Sequence, residues 1–430
     1  SQYRRIERRS LVTFHPRERR IPVGIDRRTF LRRSAFTAAA VAAGPSLLAA
    51  CGGDDGGGGG GGGEAVQLSR PDNPVTLPTF DDIPMIADGL DPESGPLKIY
   101  NYAEYIAPQT LRGFRREYGV DVEVTTFTSM DEAIARLSGG QADFDLFFAT
   151  TDVIGKATVG RLLQPLNATY LANSSNIWTQ LQDPFYDVGA QYSRPYAMYA
   201  TGIGYRIDRV SQAPGDYDNP YDILWDPEYS GDLYLLEDDR EVLGMAMLRA
   251  GETDVNTEDQ AQVDAALADI QELADAVNPR IGVEAYTILP EGRATIHQAW
   301  SGDAVNAQYY LPEGESIENI GFWYPDDGGG MIGSDQLTVL AGAASPVLAH
   351  LFIDYVLDAD NALTNFAWLG YQPPQTSIDP DSVVADGLVP PHLESTVIQP
   401  EDFETGYQLL QLSLAGERLW DNAWSTFTAG

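Results

Sequence analysis

The chain has 430 residues, with 27 Lys and Arg against 63 Asp and Glu, a formal net charge of −36 and a single cysteine. Such an acidic balance argues against nucleic acid as a partner and favours a cationic one. One cysteine excludes an internal disulfide, so any fold must be held by its core.

The first 50 residues read as an export leader. Asp26-Arg27-Arg28-Thr29-Phe30-Leu31-Arg32 matches the twin-arginine export pattern. The apolar run from Ala35 to Ala50 is broken by Gly44-Pro45 and is short for a membrane span. Leu48-Ala49-Ala50-Cys51 then has the form of a bacterial lipobox, in which the sulfur of the cysteine carries a diacylglycerol. Cysteine is required there because only its thiolate is nucleophilic enough to take the lipid. A lone cysteine is otherwise a small buried hydrophobe. Here arginine pair, apolar run and lipobox stand in the right order. Residues 1–50 are therefore expected to be a signal peptide, with Arg27 and Arg28 as its export motif. Cys51 is the expected lipidation site, anchoring an exported protein on the outer face of the cytoplasmic membrane. The leader holds 11 arginines and 3 acids, so its removal leaves 16 basic against 60 acidic side chains.

Gly52 to Gly63 is almost pure glycine, broken by Asp54-Asp55. Such a run forms no core, and residues 51–94 are expected to be a flexible tether with a reach of about 35 Å.

From Leu97 onward short apolar runs alternate with helical patterns. Leu97–Tyr102 reads as a strand, Pro108–Tyr118 as a helix and Val120–Thr126 as a second strand. Met130–Ser138 reads as a second helix closed by Gly139-Gly140, and Phe144–Phe148 as a strand buried on both faces. This order predicts an α/β domain with a mostly parallel sheet. The grammar recurs in a strand at Gly231–Leu236, a helix at Glu258–Val277, a strand at Ala294–Ala299 and a helix at Ser345–Leu357. Two α/β lobes facing a cleft follow, and ligands of such sheets bind beyond the carboxyl ends of the strands.

At those ends an aromatic ring repeatedly stands beside a carboxylate. Tyr102 and Tyr105 flank Glu104, Trp300 precedes Asp303 by three residues, Glu241 follows a run of acids, and Asp335 follows Gly333-Ser334. Ring faces attract ammonium groups and pack on methylenes, while carboxylates accept charged hydrogen bonds. Each piece has a plainer role: a core aromatic, a solvated acid, or a helix cap in the case of Asp303. Their joint placement at strand ends points to an organic cation.

These residues carry a resemblance. Ile99-Tyr100-Asn101-Tyr102-Ala103-Glu104-Tyr105-Ile106, Phe144 to Phe148, Trp225-Asp226-Pro227-Glu228-Tyr229-Ser230-Gly231, Asp238 to Val242, Ala299-Trp300-Ser301-Gly302-Asp303 and Gly370-Tyr371-Gln372-Pro373 occur in family order. From Leu97 to Gly430 the chain resembles the bacterial spermidine/putrescine-binding proteins of ABC importers. The resemblance implies a two-lobed periplasmic-binding-protein fold of type II, each lobe a mostly parallel sheet flanked by helices. Residues 95–200 and 335–378 would form the first lobe, and 201–334 and 379–430 the second. It implies chain crossings near Tyr199–Gly202, Ser334-Asp335 and Ser377–Asp379. It also implies a polyamine ligand, an ABC permease as partner, a monomer, and no cofactor or metal.

By position, Tyr102, Tyr105, Trp300 and Tyr371 match family aromatics. Glu104, Asp238, Glu241, Asp303 and Asp335 match family acids, and Thr150 matches a small hydroxyl residue. Two positions depart: Asp152 stands where the spermidine branch has an aromatic ring, and Gly333 where it has a Trp. The charged contacts are thus retained and the aromatic cage is thinned, which leaves room for a receptor of the same fold for another organic cation or an amino acid.

An enzyme is the competing class. The chain has no Walker-type phosphate loop and no G-x-S-x-G elbow, and His297, His350 and His392 lack metal-ligand spacing. A polyamine sensor without transport is a third reading that the residues leave open.

Overall fold

The computed structural model describes residues 67–140 and 143–429. Arg27, Arg28 and Cys51 lie outside the described residues, as does the glycine run.

The first lobe is built on three parallel strands, β1 (Leu97–Tyr102), β2 (Val122–Phe127) and β3 (Leu146–Thr150). β1 lies between the other two, in parallel register with each. Helices α1 (Pro108–Tyr118), α2 (Met130–Ser138) and α3 (Ile154–Val159) connect and flank them. Alternation along each strand divides the side chains between two cores. Leu97, Ile99, Leu146 and Phe148 face one cluster, while Tyr100, Phe147 and Ala149 face another. This is why β3 reads as a continuous apolar run: both its faces are covered. Helix boundaries follow local chemistry. The Ser129 hydroxyl accepts from the Glu132 amide at the start of α2, and Gly119 ends α1 in the left-handed region at φ 69°.

The second lobe repeats the scheme with β6 (Leu233–Leu235), β7 (Arg280–Ile281) and β8 (Ile296–Trp300), where β6 pairs in parallel with both neighbours. Helices α4 (Asp239–Arg249) and α5 (Gln260–Val277) cover it. In α5, Val263, Ala266, Ile270 and Leu273 are buried, as its periodicity predicts.

Two long strands join the lobes, and neither was evident in the sequence pattern. β5 (Arg194–Arg206) and β10 (Met331–Leu340) pair with each other antiparallel. β10 runs antiparallel to β3 from Asp335 to Val339, and β5 runs antiparallel to β8 from Thr201 to Tyr205. The short strands β4 (Leu163–Gln164) and β9 (Ile320–Trp323) attach to β10 and β5. The result is one continuous sheet ordered β2-β1-β3-β10-β5-β8-β6-β7. Each lobe is parallel in its outer strands and antiparallel where the chain crosses. All ten residues of β10 are buried despite Ser334, Asp335, Gln336 and Thr338. The Thr338 hydroxyl donates to the Phe147 carbonyl, and Gln336 donates to Ser334.

After β8 comes α6 (Ser301–Asn306), and after β10 come α7 (Pro346–Leu357), α8 (Ala359–Leu369) and the last helix, α9 (Leu414–Ala429). α9 packs on α4 and α5.

The expected tether is corrected over residues 67–94. This segment lies against the first lobe, with Val75 and Leu77 buried in its core. The Val75 amide donates to the Phe185 carbonyl, the Tyr192 hydroxyl donates to the Pro78 carbonyl, and Arg161 pairs with Asp82. Glu93 accepts from the amides of Val347 and Leu348 in the first turn of α7. The physical reason lies in the composition. Past the glycines the segment carries prolines, which hold it extended, and apolar residues at 75 and 77 that point to one side.

Candidate functional site

The site forms where β1, β3 and β8 end, against the middle of the crossing strands β5 and β10. Asp335 on β10 faces Thr150, the last residue of β3. Its carboxylate accepts from the Tyr105 hydroxyl, three residues beyond β1. The turn between them is tight, since Glu104 sits at φ 57°. Tyr102 packs at 4.4 Å on Phe127 and meets Tyr105 edge-on at 5.7 Å. The Tyr105 ring in turn meets Tyr371 edge-on at 5.5 Å. The Tyr371 hydroxyl donates to Asp303 Oδ1 at 2.7 Å. Two tyrosines in contact thus each hold one carboxylate, one from β10 and one from α6. Tyr371 fits because residue 302 is glycine: a Cβ there would stand 2.3 Å from its ring.

A second group lies on the second-lobe side. Asp238 caps α4 by accepting from the Glu241 amide at 3.0 Å. Glu241, in the first turn, accepts from Trp300 Nε1 at 3.1 Å. The Thr201 hydroxyl stands near the same carboxyl. Tyr199 connects the two groups. Its ring lies 6.4 Å from Trp300, and its phenol is raised well above the usual range by burial, then by Asp335, Glu241 and Asp152.

The electrostatics are those of a site built for positive charge. Burial raises the carboxyls of Asp303 and Asp335 to about 7. Burial likewise raises Asp238 and Glu241, and Glu241 further raises Asp238. Among the described residues none of these four is in an ion pair. Glu241 Oε2 and Asp303 Oδ2 are buried with no hydrogen-bond partner. A buried acceptor without a donor costs about 1–3 kcal/mol, and more when charged, so such atoms mark where a donor is missing. Arg240 attracts Asp238 and Glu241 only at a distance, and its hydrogen bonds and those of Lys156 go to other groups. Arg240 bonds Asn256 and the Leu410 and Val255 carbonyls with its guanidinium over Trp420, and Lys156 pairs with Glu417.

The structure therefore brings together Tyr102, Tyr105, Thr150, Asp335, Tyr371 and Asp303, and separately Asp238, Glu241 and Trp300. Asp152, just after β3, acts electrostatically on Asp335 and Asp238. Glu104 is exposed at the rim, without a hydrogen bond to the other acids among the described residues. Sequence reasoning missed Tyr199. It lies inside a strand rather than at a strand end, and its one signal, the glycine opposite it at 333, has no meaning until the register of β5 and β10 is known. Among the described residues no group of three or more His, Cys, Asp and Glu is arranged to hold a metal ion, and no helix is long and apolar enough to cross a membrane.

Two lobes joined by crossing strands, with an acidic and aromatic cleft between them, define a solute-binding protein. The family of bacterial extracellular solute-binding proteins matches residues 109–391, and the chain belongs to that family. The spermidine/putrescine-binding periplasmic protein of Escherichia coli (strain K12) is 29% identical over 283 residues, covering 66% of this chain and 78% of the relative. The putrescine/cadaverine-binding protein of Pseudomonas aeruginosa is 26% identical over 276 residues, covering 63% and 77%. Among solved structures, the spermidine/putrescine ABC transporter substrate-binding protein of Streptococcus pneumoniae shares the fold at TM-score 0.63 and 23% identity, covering 77% of this chain and 98% of that one. A lipoprotein of Treponema pallidum does so at TM-score 0.64 and 21% identity, with the same coverage.

Proposed function

We propose that this protein captures a polyamine, spermidine or putrescine, in the cleft between its lobes and delivers it to an ABC importer. The observation that carries this reading is the set of three buried carboxyls, Glu241, Asp303 and Asp335, with the half-buried Asp238 beside them, none in an ion pair among the described residues, and with one oxygen each of Glu241 and Asp303 left without a hydrogen-bond partner. Spaced ammonium groups on an alkyl chain supply what this cleft is missing. Asp335 and Asp303, each steadied by a tyrosine hydroxyl, hold amines on one side, and Glu241 with Asp238 holds amines on the other. Tyr102, Tyr105, Trp300 and Tyr371 cover the methylenes and exclude water, while Thr150 and Asp152 line the first-lobe wall. The two relatives above, named as spermidine/putrescine-binding and putrescine/cadaverine-binding proteins, support the same ligand class. Contacts from both lobes favour hinge closure over the ligand, and the closed form docks on the permease. The leader exports the chain through Arg27 and Arg28, and a lipid on Cys51 anchors it outside the cytoplasmic membrane, where it acts as a monomer.

Calorimetric titration with spermidine, putrescine and a panel of amino acids tests the ligand. Saturable binding of a polyamine, weakening as salt rises, is the expected result. Tight binding of a neutral solute with no heat from any polyamine rejects the proposal.

A further inference from the structure

Gly333 and Tyr199 face each other directly across the antiparallel pair of β10 and β5. Residues paired in this way project to the same side of a sheet, as do residues two apart on one strand. Gly333 therefore shares its face with Asp335, and Tyr199 shares its face with Ala197 and Thr201. A Cβ built at residue 333 would lie 2.5 Å from both Cζ and the hydroxyl oxygen of Tyr199. The backbone of Gly333 is not in the left-handed region, so its conformation does not demand glycine. What demands it is space: the phenol of Tyr199 lies over residue 333, and no side chain fits beneath it.

The ring also stands at the junction of the two halves of the cleft. On one side is Asp335 with Tyr105. On the other is Trp300, 6.4 Å from Tyr199 and bonded to Glu241. An alkyl chain with one ammonium on Asp335 and another on Glu241 passes over Tyr199.

We propose that Tyr199 is a further ligand-binding residue of this cleft, supplying from β5 the aromatic wall beside Asp335 for which β10, with glycine at 333, has no side chain. Tyr199 and Gly333 act as one unit, in which the strand that carries the ring requires its partner to carry none. This rests on the polyamine reading and adds to it the residue that covers the middle of the ligand.

The test is a mutant cycle on the full chain, read by calorimetric titration with putrescine and spermidine and by thermal unfolding without ligand. Tyr199→Ala removes the wall and weakens both ligands about tenfold, the scale of a desolvated ring–cation contact. Tyr199→Phe keeps the ring and holds both affinities. Gly333→Trp in the wild type forces two rings into one space, lowering the melting temperature and weakening binding. Gly333→Trp added to Tyr199→Ala rebuilds the wall from the other strand and strengthens binding relative to Tyr199→Ala alone. This reversal of sign is the signature of the swap, and a merely structural role for Tyr199 does not produce it. Wild-type polyamine binding that Tyr199→Ala leaves unchanged, or a Gly333→Trp effect equal in both backgrounds, overturns this inference and spares the functional reading. A wild type that binds no polyamine overturns both.

Discussion

At the scale of single residues, the site trades stability for affinity. Asp303 and Asp335 are buried acids whose carboxyls titrate near 7 because burial disfavours their charged form. In the unfolded chain they titrate near the ordinary 3.8. Between those values the folded protein keeps protons that the unfolded chain has released. The stabilisation from this retention is complete below about pH 4 and is lost as the pH rises through 7. Ligand binding has the opposite sign, because an ammonium group binds the carboxylate and expels the proton. Affinity should therefore climb by up to about tenfold per pH unit for each proton released, and level off above 7. Asp303→Asn separates the two effects. The amide keeps an acceptor for the Tyr371 hydroxyl and removes the buried charge. Unfolding curves of the free protein at pH 5 and pH 8 should show the variant losing less stability than the wild type as the pH rises. Titration should show polyamine affinity reduced by roughly 30-fold or more, as for loss of one partner of a buried charge pair. Equal pH dependence in variant and wild type would reject the assignment of a raised carboxyl at 303.

At the scale of elements, Asp238 shows how one side chain serves fold and site together. It is the N-cap of α4, and it also lies within the electrostatic reach of Asp152 and Glu241. Asp238→Ala should cost about 1 kcal/mol of stability through the lost cap, whereas Asp238→Asn should cost little, because asparagine caps equally well. If the charge also holds an amine, both variants lose affinity for spermidine. Denaturant unfolding and titration of the same two proteins give the answer, and an Asp238→Asn variant with wild-type affinity would leave Asp238 as a cap alone. The elements also explain what could be read from the chain. β1, β3, α1, α2 and α5 announce themselves because each has a periodic apolar face or a fully apolar run. Tyr102, Tyr105 and Thr150 at the ends of β1 and β3 were visible for the same reason, since knowing where a strand stops locates its ligand-facing residues, whereas Asp335 lies in the middle of β10 and not at a strand end. β5 and β10 escaped notice because periodicity assumes that buried faces are apolar. In β10, Ser334, Asp335, Gln336 and Thr338 are buried by neighbouring strands, with hydrogen bonds from Gln336 to Ser334, from Thr338 to the Phe147 carbonyl and from Tyr105 to Asp335. The segment at 67–94 escaped for another reason: its buried apolar residues, Val75 and Leu77, are too few to form a pattern.

At the scale of the whole molecule, the lobes meet through charges as well as through the cleft. Lys156 on α3 of the first lobe pairs with Glu417 on α9 of the second at 2.8 Å, each side chain 28% exposed. Arg70, in the segment packed on the first lobe, donates to the Gln411 carbonyl just before α9. Lys156 is surrounded by acids from both sides, chiefly Asp152, Glu417 and Asp131. Asp421 on α9 feels Asp131 and Glu417 as repulsion and Lys156 as attraction. A partly exposed ion pair contributes at most about 1 kcal/mol. Removing the lysine does more than delete that pair, because it leaves the acids of one lobe facing the acids of the other. Lys156→Met should therefore favour the open form and speed ligand release, by about fivefold on the scale of 1 kcal/mol. Glu417→Gln should have a smaller effect, since it removes the pair and part of the repulsion together. The double variant should release ligand more slowly than Lys156→Met. Stopped-flow dissociation of spermidine at low and high salt checks the order, and small-angle scattering of the free protein reports the opening. Salt should compress the differences, because the charges involved are partly exposed. If Glu417→Gln matched or exceeded Lys156→Met, or if salt changed nothing, the lobes would be held by packing at the crossing strands and not by charge across their faces.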